Sequence, residues 1–268
     1  MFKRDHASLA GGQGHCPKRG RGIVLEASVA VAGPFNLNLA ILQARMTSSR
    51  LPGKVMAPVL GEPMIGRQLE RLGRSARIGR IVVATSVDPS DDPLADYVES
   101  LGHLVFRGSL ADVLDRFGGA MAMVPEADTV VRLTADCPLA DWTVIDATID
   151  CYRDAGADYA SNTPAVRTYP HGLDTEVMRR TALERACREA ADPYEREHVT
   201  PFIYRRPDDF RLAYLSQPVS LAHLRWTVDL PEDLAFVRDV YERLYPANPA
   251  FTSADVAALA HNSSGAAA

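Results

Sequence analysis

Leu39-Ala-Ile-Leu-Gln-Ala-Arg45-Met-Thr-Ser-Ser-Arg50-Leu-Pro-Gly-Lys54 is the stretch that decides the fold. Its first four residues form a short apolar run, the pattern of a strand buried on both faces of a parallel sheet. Ligands of open α/β sheets bind just beyond the carboxyl ends of such strands. The loop in that place carries Arg45, Arg50 and Lys54 among Thr47, Ser48 and Ser49. Arginine offers a planar fork to oxygen pairs and lysine a point charge, so the loop suits a polyphosphate. Neither GxxxxGK[ST] nor GxGxxG is present, so side-chain charge takes the part that a glycine cradle plays elsewhere.

Outward from this segment, strand and helix patterns alternate. Strands are expected at 80–85, 103–107 and 129–134, and helices at 63–76, 91–101 (ended by Gly102), 110–124 and 141–154. Asp141 is the expected cap of the last of these. Alternation of this kind implies a parallel sheet with helices on both faces. Beyond residue 157, strands are expected at 172–178, 210–215 and 225–228, and helices at 179–191, 195–205 and 231–244. This second half reads as an elaboration of the same sheet. The expected organisation is one α/β domain at 37–260, with disordered ends at 1–36 and 261–268. Residues 23–32 imitate a secretory signal, but Glu26 interrupts the run and the basic stretch before it is long.

A net charge of −5 argues against non-specific nucleic-acid binding, which needs a basic face. Cations clustered locally in an acidic protein point instead to a small anionic ligand. No apolar run approaches the ~18 residues of a membrane span. Cys16, Cys137, Cys151 and Cys187 show no metal-type spacing and read as reduced thiols of a cytoplasmic protein.

Two aspartates sit just past expected strands. Asp136 follows 129–134, and with Asp141 available as the cap it is left for chemistry. Asp229 follows 225–228, although it also suits an N-cap. Magnesium is typically held by one or two carboxylates plus substrate phosphates and water, so Asp136 and Asp229 converging beside the cation-rich loop make a candidate metal site.

These segments resemble the cytidylyltransferases that make CMP-activated acidic sugars, including the CMP-Kdo and CMP-sialic acid synthetases, and above all their SpsF-like branch. The matching runs are collinear over about 37–245: 43–54, Val82-Val-Ala-Thr-Ser86, Phe106-Arg-Gly-Ser109 with Asp112-Val-Leu-Asp-Arg116, Val131 to Leu139, Asp158 to Asn162, Gly172 to Val177, Arg196 to Pro201 and Leu224 to Asp229. The resemblance implies a three-layer, mostly parallel, nucleotide-diphospho-sugar-transferase-like α/β fold that is Rossmann-like. It implies CTP as substrate, with Arg45, Arg50 and Lys54 on its phosphates and Mg²⁺ on Asp136 and Asp229. Arg45 and Lys54 are the expected catalytic cations. Ser49 belongs to the same loop, and base and ribose contacts are implied near Leu42, Gln43, Ala44, Ser86 and Arg107. Many sialic-acid enzymes carry two aspartates around the second metal position, where this chain has Thr227 and Asp229, so one metal is expected. Dimers are common among such enzymes, which leaves a homodimer open.

The acceptor pocket is expected from the second half, where Asn162, His171, Asp174, Glu176, His198 and Arg225 are the candidates. Histidine or arginine would take a carboxylate, and acid or amide groups the hydroxyls. Two other readings compete: a glycosyltransferase of the same fold type, and a nucleotide-binding module without catalysis. Against the first, Thr134-Ala-Asp136 offers only one carboxylate where a DxD motif would offer two. Against the second, both strand-end aspartates are present. Trp226 and Tyr169 read as core aromatics.

Overall fold

The run at 39–42 forms an interior strand of the sheet. A computed structural model describes residues 37–265, which fall within one compact unit, Asn36–Ala268. The readings made for 1–36 and 266–268 lie outside the described residues. In chain order come β1 (Leu37–Gln43), a two-residue hairpin of β2 (Pro58–Val59) and β3 (Glu62–Pro63), and α1 (Met64–Leu72). There follow β4 (Arg80–Ser86), α2 (Asp92–Ser100), β5 (Leu104–Gly108), α3 (Val113–Ala122), β6 (Ala127–Thr134) and α4 (Trp142–Asp154). The second half holds β7 (Tyr159–Ser161), β8 (Glu176–Arg179), α5 (Arg180–Glu189), α6 (Pro193–His198), α7 (Pro201–Tyr204), β9 (Leu212–Tyr214), α8 (Pro231–Leu244) and α9 (Ser253–Gly265). The last helix thus enters the segment expected to be a tail. No helix among the described residues is long and apolar enough to cross a membrane.

Seven strands make one sheet in the order β5-β4-β1-β6-β8-β7-β9, and only β8 runs against the rest. Burial on both faces accounts for the apolar runs of the central strands. On β1, Leu39 and Ile41 face a cluster built with Val113, Leu114 and Phe117 of α3 and Ala182 and Leu183 of α5. Ala40 and Leu42 face the opposite cluster, with Ile65 and Leu69 of α1, Leu94 and Val98 of α2, and Ile145 and Ile149 of α4. The helices therefore cover both faces, as the alternation implies.

Three expectations for the second half are corrected. The segment 172–178 is strand only from Glu176, because Gly172 has φ +101° and turns the chain away. The helix expected at 195–205 is two short helices separated at Val199, whose φ of +71° no helix accepts. Residues 225–228 pair with the rest at one point, Arg225 opposite His171, and do not form a strand. They are held instead by a third cluster in which Trp226 and Val228 pack with Leu234, Val237 and Tyr241 of α8.

That third cluster places Asp229, and it depends on Gly172. A Cβ there would stand 2.8 Å from the Trp226 carbonyl carbon and 2.9 Å from the Thr227 nitrogen, both backbone. Gly172→Ala combines this clash with an unfavourable φ and is expected to destabilise the fold by about 2 kcal/mol or more. Urea unfolding of the variant against the unaltered chain measures it.

Candidate active site

A cavity of about 220 Å³ opens at the carboxyl ends of β1 and β6. Gln43, Ala44, Arg45, Ser48, Ser49, Arg50, Lys54 and Val55 line one side, and Thr134, Ala135, Asp136 and Asp229 the other. The two strands are joined past their ends, where the Ala135 amide donates to the Gln43 carbonyl at 2.9 Å. The loop after β1 then folds back, with the Ser48 and Gly53 amides both donating to the Met46 carbonyl, at 2.9 and 2.8 Å. Gly53 takes φ +73°, which glycine adopts without steric cost, and a single 3₁₀ turn from Lys54 follows. This turn brings Lys54 into the interior, where its side chain is 10% exposed.

Lys54 Nζ donates to the Val228 carbonyl at 2.5 Å and to Asp229 Oδ1 at 3.1 Å, and it stands 4.0 Å from Asp136 Oδ2. Arg50 reaches the same Asp229 oxygen at 2.8 Å, and Arg225 donates to the other at 2.5 Å. Burial pushes the Asp229 carboxyl up, but the hydrogen bond and charge of Lys54, with Arg50 and Arg225, bring it below its ordinary value. Asp229 does not cap α8: the Asp233 carboxylate accepts the Asp229 and Leu230 amides, both at 2.8 Å, and leaves the Asp229 side chain to the cavity. Asp136 is likewise left over, since Asp141 caps α4 by accepting the Thr143 amide at 2.8 Å. Thr134 Oγ1 donates to Asp136 Oδ1 at 2.6 Å and orients the carboxylate. The Val228 amide donates to the Asp136 carbonyl at 2.8 Å, which ties the two aspartate segments together.

The structure therefore brings Gln43, Ala44, Arg45, Ser49, Arg50, Lys54, Asp136 and Asp229 into one place. It does not bring Leu42, Ser86 or Arg107 there. Leu42 is core. The Ser86 hydroxyl is buried against Asp91, and Arg107 donates to the Ser86 and Asp88 carbonyls and to Asp92. Among the described residues no three His, Cys, Asp or Glu side chains gather as a metal site. Two carboxylates beside an anion-binding loop nevertheless fit a hard divalent cation whose other ligands are phosphate oxygens and water.

A larger cavity of about 740 Å³ adjoins the first at Thr134. Asp174, Glu176 and His198 line it, as expected of an acceptor pocket, and so do Arg132, Arg167 and four tyrosines, 159, 194, 204 and 214, that sequence reasoning did not single out. Its charges are mostly paired. Arg132 meets Glu176, which also accepts the Tyr159 and Thr200 hydroxyls, each at 2.6 Å, and Arg167 forms a two-pronged pair with Asp174. His198 stacks on Tyr194 with ring centroids 4.2 Å apart. The other three candidates do not reach this cavity. Asn162 is wholly buried and bonds the Leu173 carbonyl and Thr175 amide. His171 exchanges backbone hydrogen bonds with Leu224 and Trp226, and Arg225 serves Asp229 and Asp233.

Comparison with known proteins places the chain in a family. The family model for cytidylyltransferase matches residues 39–244. The chain is 38% identical over 197 residues to the uncharacterized protein MJ1063 of Methanocaldococcus jannaschii, covering 73% of this chain and 79% of that one. It is 33% identical over 212 residues to the spore coat polysaccharide biosynthesis protein SpsF of Bacillus subtilis, covering 76% and 86%. Among solved structures, a cytidylyltransferase from Leptospira borgpetersenii superposes with a TM-score of 0.78 at 30% identity, covering 85% of this chain and 95% of that one.

Proposed function

The chain belongs to the cytidylyltransferase family, and from that premise we propose that it is a Mg²⁺-dependent enzyme transferring CMP from CTP to a hydroxyl of a small acidic sugar, with release of pyrophosphate. The observation that carries this reading is the single cavity where Arg45, Arg50 and Lys54 meet Asp136 and Asp229. Both SpsF, named for spore coat polysaccharide biosynthesis, and the likeness to CMP-activating sugar enzymes favour a sugar acceptor.

The barrier to this reaction is largely electrostatic, because an oxygen nucleophile must approach a phosphate already crowded with negative charge. The acceptor oxygen bonds to the α-phosphorus as the bond to the β-phosphate oxygen breaks, and the hydroxyl proton leaves to solvent. Positioning and charge stabilisation carry such transfers, so no dedicated general base is required. Arg45 and Arg50 hold the phosphate oxygens. Lys54 meets charge on the α-phosphate and the departing pyrophosphate. Asp136 and Asp229 would hold Mg²⁺, which when bound adds Lewis-acid stabilisation of phosphate oxygens. Thr134 lines both cavities, and on this reading acceptor and nucleotide would meet beside it.

Pyrophosphate release tests the reading: four nucleoside triphosphates crossed with a panel of acidic sugars, with and without Mg²⁺. The expected result is release with CTP and an acidic sugar only when Mg²⁺ is present. Release with none of the pairs overturns the proposal. Within the larger cavity, His198→Ala is expected to raise the acceptor KM about tenfold, the loss of one charge-assisted hydrogen bond, and to leave the KM for CTP unchanged. Steady-state kinetics with each substrate varied in turn separates the two.

A further inference from the structure

Asp91 is wholly buried, and neither cavity contains it. It precedes α2, yet its side chain does not cap that helix. Its Oδ1 accepts the Met46 amide at 2.7 Å, and its Oδ2 accepts the Thr85 hydroxyl, the Ser86 amide and the Ser86 hydroxyl at 2.9, 3.0 and 2.5 Å. One carboxylate thus ties the loop after β1 to the end of β4, and it grips that loop at the residue directly after Arg45. A buried carboxylate is costly unless its oxygens are satisfied, and here four donors satisfy them.

A second observation concerns Arg116, which is also wholly buried and donates to the Ser109 carbonyl at 2.7 Å. Its Nε and Nη2 have no partner. Burial lowers its pKa and so does the positive charge of Arg45, while Asp91 and Asp112 act in the opposite sense. Asp91 and Asp112 thus carry the opposite charge toward this buried guanidinium.

We infer that Asp91 is a positioning residue for nucleotide binding: it fixes the backbone beside Arg45, so that Arg45 is held ready for the triphosphate. This rests on the reading of the cavity as a CTP site. Asp91→Asn conserves shape but puts an amide donor toward groups that donate. The loop is expected to loosen, weakening CTP binding about tenfold, the equivalent of one charge-assisted hydrogen bond. The acceptor KM should not change. A merely structural role would lower the folded fraction, and with it kcat, while the CTP Kd of the folded protein stayed the same.

The experiment is calorimetric titration of the full chain with CTP, for the unaltered protein, Asp91→Asn and Ser86→Ala, with circular dichroism melting of each. Ser86→Ala removes one donor and keeps the carboxylate, so about a threefold weakening is expected. A folded Asp91→Asn protein that binds CTP as the unaltered chain does overturns the inference. If Asp91→Asn fails to fold, an unchanged CTP affinity in Ser86→Ala overturns it. Absence of CTP binding by the unaltered chain overturns the functional reading itself, and this inference with it.

Discussion

Lys54→Ala is expected to fold and to lose about 10²–10³ of its turnover, the usual effect of deleting one preorganised charge-stabilising group. The side chain enters the cavity from a 3₁₀ turn, and its ammonium stands within 4.0 Å of both aspartates. Among the described residues no other lysine lines this cavity. The fold should survive because Asp229 keeps two partners, Arg50 at 2.8 Å and Arg225 at 2.5 Å, when Lys54 is gone. The Val228 carbonyl loses its donor, which a side-chain cavity open to water can replace. Pyrophosphate release and thermal melting, measured on the same preparation, separate chemistry from folding. A folded variant with near-normal turnover would remove Lys54 from the mechanism. A variant with raised CTP KM and normal kcat would make it a binding residue only.

What was legible in the sequence was what local pattern controls. The central strands are apolar throughout because both faces are covered, and that signature survives in sequence. Pro231 opens α8 where expected, and Asp141 caps α4. Capping also made Asp136 legible, because a nearby better cap leaves a strand-end carboxylate without a structural task. Long-range bonds erased the rest. The Glu176 carboxylate, on β8, accepts the Thr200 hydroxyl just past Val199, where the helical pattern of 195–205 is interrupted. Ser86 has the composition of a ligand contact, but Asp91 five residues on takes its hydroxyl and amide. Arg225 alternates like a strand residue, yet Gly172 admits the chain at 225–227 so closely that one bridge forms and no ladder. The larger cavity draws its lining from β6, β7, β8, α6, α7 and β9, elements far apart in sequence, so its tyrosines carried no joint signal.

Asp136→Asn is expected to cost at least about 10² in turnover while leaving the fold intact. The substitution is nearly isosteric, and the backbone link from the Val228 amide to the residue 136 carbonyl does not involve the side chain. Thr134 Oγ1 can still donate to an amide oxygen where it now donates to Oδ1 at 2.6 Å. What disappears is negative charge on the side facing Lys54, whose ammonium stands 4.0 Å from Oδ2. The two aspartates differ here. Both oxygens of Asp229 are engaged by cations of the chain, whereas among the described residues the second oxygen of Asp136 has only this longer contact. Asp136 is therefore the carboxylate more available to a divalent cation, and its neutralisation should raise the Mg²⁺ concentration needed for half-maximal pyrophosphate release. If Asp136 serves only to order Thr134 and Cys137, the variant will keep both its turnover and its Mg²⁺ requirement. A Mg²⁺ titration of the two proteins at saturating CTP decides between these outcomes, because loss of alignment alone lowers the plateau without moving the midpoint.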